Sequence, residues 1–438
     1  MEQTPHIETF GEIFPQFMLE LVASDGPLAG FQLLLWNGTE TNIQPSIHIE
    51  PAAGSQFPAR IFEPPDIDPS ILKAIHFPTR PEPYESDRAL LDEICALVKK
   101  YTGLAENQAL LAAHSVLASW LVDLIPTPVS LALVGPDSPQ GSQLFRLLGC
   151  LYRRALVLGE VTLAGISSLP MALCPALFID GSPSDPKLHK LLQASRGWDS
   201  YIPRGGRLIN LCGAKVIRTE DRFTTDGLGG KFVEISVGPA GSSLAILDRH
   251  TEQQIADEFQ PKLLMFRLNN YKQTKASDFD VPRFMPPLRD VARSLGASVP
   301  REPELQAGII PLLQEQNERL ESERPTDLRT VVVEAMLELC HRTAKQSIYV
   351  GDVADAANKI LEQRGEPHVM TDKAVGTKME RLGFAASRLD SAGRGIQLMK
   401  AVRRRIHNLA RDWDIIIEEN LDTEQCEYCQ ELVSRTAV

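Results

Sequence analysis

The feature that most constrains how this chain folds is the stretch over residues 129–151, VSLALVGPDSPQGSQLFRLLGCL. Apolar residues run to Val134, turn formers fill the interval from Gly135 to Gly141, and Leu144, Leu147, Leu148 and Leu151 follow at helical spacing. A strand, a tight loop and a helix in that order turn backbone N–H groups and a helix N-terminus toward one point, the geometry that holds a phosphate. The lysine that normally follows the last glycine is replaced by Ser142, and the magnesium-holding hydroxyl by Gln143. The stretch specifies an architecture more firmly than an activity.

Further apolar segments recur at the spacing of a covered, largely parallel sheet: residues 155–161, 175–180, a segment within 208–217 centred on Ala214-Lys215-Val216-Ile217, and 231–237. Two amphipathic helices precede the loop. One opens at Ser86 and buries Leu90, Leu91, Ile94, Leu97 and Val98; the other runs from about Glu106 to Leu124 on a stripe of Ala109, Leu110, Ala113, Val116, Leu117 and Trp120. His114 falls between these positions and reads as a packed histidine. Residues 246–323 carry a helical pattern, expected to form a bundle beside the sheet and to stop at Pro325. In residues 1–80, Asn37-Gly38 marks a hairpin, His48 is an ordinary strand residue, and the proline-rich stretch that follows reads as a linker without regular structure.

Beyond Asp327, two helices flank a β-prone piece at Ser347-Ile348-Tyr349-Val350. A helix capped by Thr371 and stopped by Gly383 comes next, then a hairpin over residues 384–399 with its tip at 390–395. That order is the order of a winged helix-turn-helix. The chain carries a net charge of −12, yet residues 369–411 hold three lysines and seven arginines against three acids, a net of +7. Lys373, Lys378 and Arg381 share a broad face of the third helix, Arg388 and Arg394 lie in the wing, and Lys400, Arg403, Arg404 and Arg405 begin the next helix. Such clusters neutralise phosphates, so DNA is the expected partner, with the protein-contact use of a winged helix as the alternative.

Seven cysteines are scattered, five of them inside apolar runs, which suits buried reduced thiols rather than a disulfide framework. Only Cys426 and Cys429 have metal spacing, and with no second such pair in the sequence they read as a stray tail pair. No apolar run approaches the roughly 18 residues of a membrane span, and the first residues lack a signal peptide's basic and apolar regions, so a cytoplasmic protein with no membrane partner is expected.

Asp180 closes an apolar strand, where a phosphate-loop ATPase places its magnesium-holding acid, and Gly181 follows it. From about Ser86 to Val237 the chain resembles the helicase-like phosphate-loop ATPases (ASCE/AAA+ type) of phages, plasmids and other mobile elements, of the primase-associated kind. The resemblance rests on LLDEICALVKKYTGL, ASWLVDLIPTPVSLALVGP, the loop, CLYRRALVLGEVT, LPMALCPALFID and GAKVI. It implies an α/β fold with a P-loop NTPase-type parallel sheet and helical bundle, joined here to a small N-terminal β-containing region and a C-terminal winged helix. The divisions are residues 1–80, 81–245, 246–325, 326–415 and a tail at 416–438.

The same resemblance implies ATP and magnesium as cofactors, nucleotide contacts at Gly135, Gly141, Ser142 and Gln143, and Asp180 as the catalytic, metal-holding acid. It places the arginine-rich segment with Arg196 and Arg204 at a ring pore or subunit contact, and it implies a homo-oligomer. The sequence departs from the family at Ser142, Gln143, Gly181 and at Gly230-Lys231, where an arginine is expected. Loss of the lysine, the hydroxyl and the water-orienting glutamate together predicts a degenerate site, with Arg146, Arg153, Arg154 or Lys215 as the neighbours able to replace the missing charge. The expected function is DNA binding through the winged helix in replication, maintenance or regulation of a mobile element. The alternatives are an active ATP-dependent helicase or translocase with a substituted loop, and a scaffold that touches no nucleic acid.

Overall fold

Five short apolar segments become one parallel sheet. In the computed structural model, strands run in the order Phe232–Ser236, Ser130–Val134, Lys215–Thr219, Ala176–Asp180, Ala155–Leu158, all parallel. The described residues are 5–24, 30–50, 59–159, 161–166, 168–181, 192, 201–204, 207–220, 222, 230–239, 244–322, 328–342, 346–364, 366, 369–390, 393–413, 415, 426 and 428. They fall into two compact units, Met1–Glu321 and Ser322–Val438.

In the first unit the pleat sends alternate side chains to two cores. Leu131 and Leu133 join one core with the helices Asp87–Thr102, Glu106–Trp120, Pro139–Leu151, Arg249–Lys275 and Pro286–Ala297. Ala132 and Val134 join the other, together with Leu19, Leu21 and Leu33 from the N-terminal strands. Burial on both faces is why these strands read as unbroken apolar runs. The helix Asp87–Thr102 begins at a Ser86 cap that accepts from the Ala89 N–H and ends at Gly103 in the left-handed region, φ +66°. His114 is buried, and burial pushes its pKa down to about 4. No helix among the described residues is long and apolar enough to cross a membrane.

The N-terminal residues build a four-stranded antiparallel sheet in the order Gly11–Ile13, Met18–Ala23, Phe31–Trp36, Thr41–Gln44. Its last hairpin turns at Asn37-Gly38, where the Asn37 side chain accepts from the Thr39 and Glu40 N–H groups. A second small sheet joins His6–Glu8, Arg60–Glu63 and Ile47–Ile49, with His48 exposed. The proline-rich stretch is not devoid of regular structure: Pro69–Ala74 is a helix with Asp68 as its cap. A proline at the first helical position removes an N–H that has no helical partner, so the composition that argued against a helix starts one.

Three arginines and two acids meet at a buried node within this unit. Glu20, on Met18–Ala23, accepts from Arg153 Nη2 at 2.7 Å, Arg154 Nη2 at 2.6 Å and Arg267 Nε at 2.7 Å, and Arg267 also pairs with Asp123. Burial alone would raise the Glu20 pKa, but Arg153, Arg267 and Arg154 outweigh it and hold the carboxyl well below the usual range. Burial opposes the Arg267 charge as well, and Asp123 and Glu20 reverse that and raise its pKa.

The second unit runs helix Leu328–Arg342, strand Ser347–Tyr349, helix Val350–Gln363, helix Asp372–Arg381, strands Ser387–Asp390 and Gly393–Gln397, helix Lys400–Asp412. The three strands form an antiparallel sheet with Gly393–Gln397 in the middle. Thr371 caps the third helix by accepting from the Ala374 N–H, and Gly383 follows it at φ +81°. A core of Val331, Met336, Ile348, Val353, Val375, Met379, Ile396 and Ile406 holds these elements together.

Glu20→Gln leaves three buried guanidinium groups short of a carboxylate and is expected to destabilise the chain by about 3–5 kcal/mol, read by denaturant unfolding. Because the folded Glu20 pKa lies below its unfolded value of 4.5, its stabilisation is complete above that value and is lost as pH falls. The acid limb of the wild-type stability profile is therefore expected to be shallower in Glu20→Gln.

Candidate functional site

The parallel register brings the carboxyl ends of three neighbouring strands, at Val134, Asp180 and Thr219, to one edge of the sheet. Helical crossovers make such an edge the place where open α/β sheets bind ligands. A cleft of about 450 Å³ opens there, lined by Gly135, Asp137, Asp180, Gly181, Arg218, Thr219 and Glu220.

Arg218, the fourth residue of its strand, crosses the cleft. Its Nε and Nη2 donate to the two Asp180 carboxylate oxygens at 2.6 and 3.0 Å. Its Nη1 donates to Asp137 Oδ1 at 3.0 Å and to Ser142 Oγ at 2.5 Å. One guanidinium thus ties the loop, the helix after it and the strand-end acid together. The fork matches Asp180 bidentately, which fixes its direction.

The loop backbone is arranged as follows. Gly135 sits at φ +151° and donates its N–H to Thr219 O at 3.0 Å. A Cβ at that position would lie 1.9 Å from Val237 O, so the strand Phe232–Ser236 and its continuation leave room for glycine alone. Ser138 caps the helix: its Oγ accepts from the Gly141 N–H at 3.2 Å, and its carbonyl accepts from the Ser142 N–H at 3.1 Å. Pro139 brings no N–H. Gln140 donates to Thr102 O at 2.8 Å and accepts from the Gly238 N–H at 2.8 Å, anchoring the start of the helix on both sides.

In this structure the groups that ATP and magnesium would use already have protein partners. Two of the N–H groups that a phosphate would need, at Gly141 and Ser142, are already satisfied within the turn. Ser142 accepts from Arg218, Gln143 presents an enclosed amide whose Oε1 has no partner among the described residues, and Asp180 is engaged by the guanidinium. With Asp137, Asp180 and Glu220 against Arg218, the cleft carries a formal charge of −2, which repels a polyphosphate.

The four cations named as able to replace the missing lysine are engaged elsewhere. Arg146 pairs with Glu252 at 2.6 Å. Arg153 and Arg154 are drawn into the Glu20 node. Lys215 begins its strand, so it stands at the amino end of the sheet, where its buried Nζ donates to Leu211 O and Gly213 O. Burial lowers the Lys215 pKa to about 8. Lys231 precedes Phe232–Ser236 and lies at that same amino end. Arg218 was not anticipated, because the apolar run that marked its strand stops at Ile217. Its signal was parity of position: Asp180 and Arg218 each stand one residue beyond an apolar run of a parallel sheet, and they pair in register.

Of the arginine-rich segment, Arg196 lies outside the described residues. The backbone of Arg204 ends the strand Tyr201–Arg204, paired with Arg207–Asn210 in a separate hairpin. In the second unit, Lys373, Arg381 and Arg388 are exposed and Lys378 is half-buried, while Val375 and Met379 of the same helix face the core. Three arginines of the basic set hold their own domain together. Arg394 donates to Ala386 O at 2.8 Å, Arg403 to Cys340 O at 3.1 Å, and Arg405 to Leu382 O at 2.9 Å with its guanidinium over the Phe384 ring. Arg404 is exposed.

No protein-family model matches the chain, and no curated protein sequence matches it. Among solved structures it is similar to the apo C-terminal region of NrS-1, at 10% identity and TM-score 0.34 over 87% of this chain and 96% of that one. It is also similar to a full-length MCM homolog from Methanopyrus kandleri, at 11% identity and TM-score 0.35 over 68% of this chain and 76% of that one.

Gly135→Ala is expected to lower stability by more than about 2 kcal/mol, because the added methyl group overlaps Val237 O at a backbone angle that side chains avoid. Arg218→Ala, in a cleft open to water, is expected to cost only about 1 kcal/mol. Urea unfolding of both variants checks the ranking, and an Arg218→Ala loss equal to that of Gly135→Ala would contradict it.

Proposed function

We propose that this chain is a non-hydrolysing relative of phosphate-loop ATPases that binds DNA through its second unit. The observation that carries the first half is Arg218. A guanidinium spanning Asp180, Asp137 and Ser142 supplies internally the positive charge that bound cation and lysine supply in an active site, and it does so without a nucleotide. Gly135 then serves packing, as its 1.9 Å approach to Val237 O requires.

The second half rests on the second unit's element order, helix, strand, helix, helix, hairpin, helix, which we read as a winged helix. Its third helix presents Lys373 and Arg381 outward while Val375 and Met379 anchor it, and Arg388 stands exposed on the adjoining hairpin. Those three residues and Lys378 are assigned phosphate contacts. Arg394, Arg403 and Arg405 are assigned to holding backbone carbonyls. The body of the chain, at −19 once residues 369–411 are set aside, offers DNA no comparable surface. A role in replication, maintenance or regulation of a mobile element, as a homo-oligomer, is part of the same reading and comes from the sequence resemblance.

Calorimetric titration of the full chain with magnesium and ATP is expected to give no binding heat, and phosphate release with DNA present is expected to match the protein-free blank. DNA-stimulated hydrolysis abolished by Asp180→Ala would establish the active translocase instead. Duplex DNA binding is expected to weaken steeply with salt, and the triple substitution Lys373→Ala, Arg381→Ala, Arg388→Ala to reduce the log–log salt slope by about 2–3. A salt slope near zero in the wild-type chain would point to the scaffold that touches no nucleic acid.

A further inference from the structure

Two histidines and a cysteine, distant in sequence, converge in the second unit. His341 lies on the helix Leu328–Arg342, His407 on Lys400–Asp412, and Cys426 beyond the last helix. Their ligand atoms all lie within 4.8 Å of one another. The Cys426 Sγ to His407 Nε2 distance is 3.4 Å, close to the edge of about 3.5 Å that tetrahedral Zn–N and Zn–S bonds produce. The two imidazole centroids are 5.1 Å apart, and the Tyr428 ring lies tilted, its centroid 5.4 Å from that of His407.

The tautomers follow from the outer contacts. His341 Nδ1 lies 2.8 Å from Leu337 O and His407 Nδ1 lies 2.8 Å from Arg403 O. A carbonyl oxygen only accepts, so both Nδ1 atoms carry hydrogen and both Nε2 atoms carry the lone pair that a metal takes. Ligating histidines are held by this same outer-shell hydrogen bond. Two rings fixed this way by their own helices, at i−4 in each case, point to a site that is prepared before any ion arrives.

We propose that His341, His407 and Cys426 bind a zinc ion that ties the segment after the last helix to the first and last helices of the second unit. An N₂S donor set favours zinc over magnesium or calcium, which take oxygen ligands. Cys429 follows Cys426 in the sequence at Cys-x₂-Cys spacing but lies outside the described residues, and the proposal rests on the three that are described. The ion acts as a cross-link, with no reaction assigned to it.

The test uses the full chain, purified under reducing conditions without added chelator. Elemental analysis is expected to find about one zinc per chain, falling more than about tenfold in Cys426→Ser and in His341→Ala/His407→Ala. Cobalt(II) added to metal-free wild-type chain is expected to give tetrahedral visible bands with a thiolate charge-transfer band that disappears in Cys426→Ser. Far-ultraviolet circular dichroism shows whether each variant folds, and the wild-type titration stands without them. A reduced wild-type chain that neither retains zinc nor develops the cobalt spectrum overturns the proposal, leaving a thiol–imidazole hydrogen bond. Cys426→Ser with full zinc and an unchanged spectrum overturns the ligand set.

Discussion

Three layers of the first unit meet at one buried carboxylate. Glu20 stands on an N-terminal strand, Arg153 and Arg154 at the turn between the Pro139–Leu151 helix and the next strand, and Arg267 on the long helix beside the sheet. Hydrophobic surface alone packs these layers without choosing how they register, because leucine tolerates many partners. An ion node does choose: each guanidinium left without Glu20 is a charge in a place with no water. Buried pairs of this kind contribute less net stability than their attraction suggests, since desolvation offsets most of it, and their clearest effect is the penalty on every wrong arrangement. Arg154 even takes a left-handed backbone, φ +53°, to present its side chain there, and burial beside Arg153 lowers its pKa to about 10.

That constraint explains why arginines that seemed available to the phosphate loop are not. Arg153 and Arg154 lie close in sequence to the loop helix, but the node engages them on another part of the unit. The cleft is served by Arg218, delivered by a strand on the far side of the chain's path and adjacent to Asp180 in the sheet. Sequence proximity and sheet proximity differ here because Lys215–Thr219 inserts between the loop strand and the Asp180 strand. Packing rather than ligand also accounts for the first loop glycine. A glycine at the position of Gly135 is usually explained by a phosphate, yet the oxygen that excludes a side chain there belongs to Val237.

Much of the fold was legible because burial writes itself into periodicity. The five sheet strands stood out as apolar runs, the helices before the loop as stripes, and the caps at Ser86, Thr371 and Gly383 as single residues with a local mechanism. The helix at Pro69–Ala74 was not legible from proline content, since proline opposes a helix interior and favours its first turn. The node was invisible for a different reason. A glutamate in an apolar strand looks like an exposed alternation until its three arginines, more than a hundred residues away, are placed. The candidate site was half legible: the glycines and Asp180 by pattern, Arg218 only through register, and of the His341–His407–Cys426 group only Cys426, by its spacing from Cys429, because the two histidines share no motif with it.

Charge composition over-reads the second unit in an instructive way. Ten basic residues within residues 369–411 suggest a continuous cationic face. Arginine, however, also satisfies the carbonyl groups left open where helices and turns end, and Arg394, Arg403 and Arg405 do this with Ala386, Cys340 and Leu382 as acceptors. Lysine carries no planar fork and does this less readily. Lys373, Lys378 and Arg381 lie on the third helix and Arg388 on the hairpin, so the cationic surface is narrower than the count implies. Where a basic cluster mixes the two residue types, the arginines beside chain reversals belong first to the fold, and the cations on a capped, core-anchored helix are the ones left without that structural task.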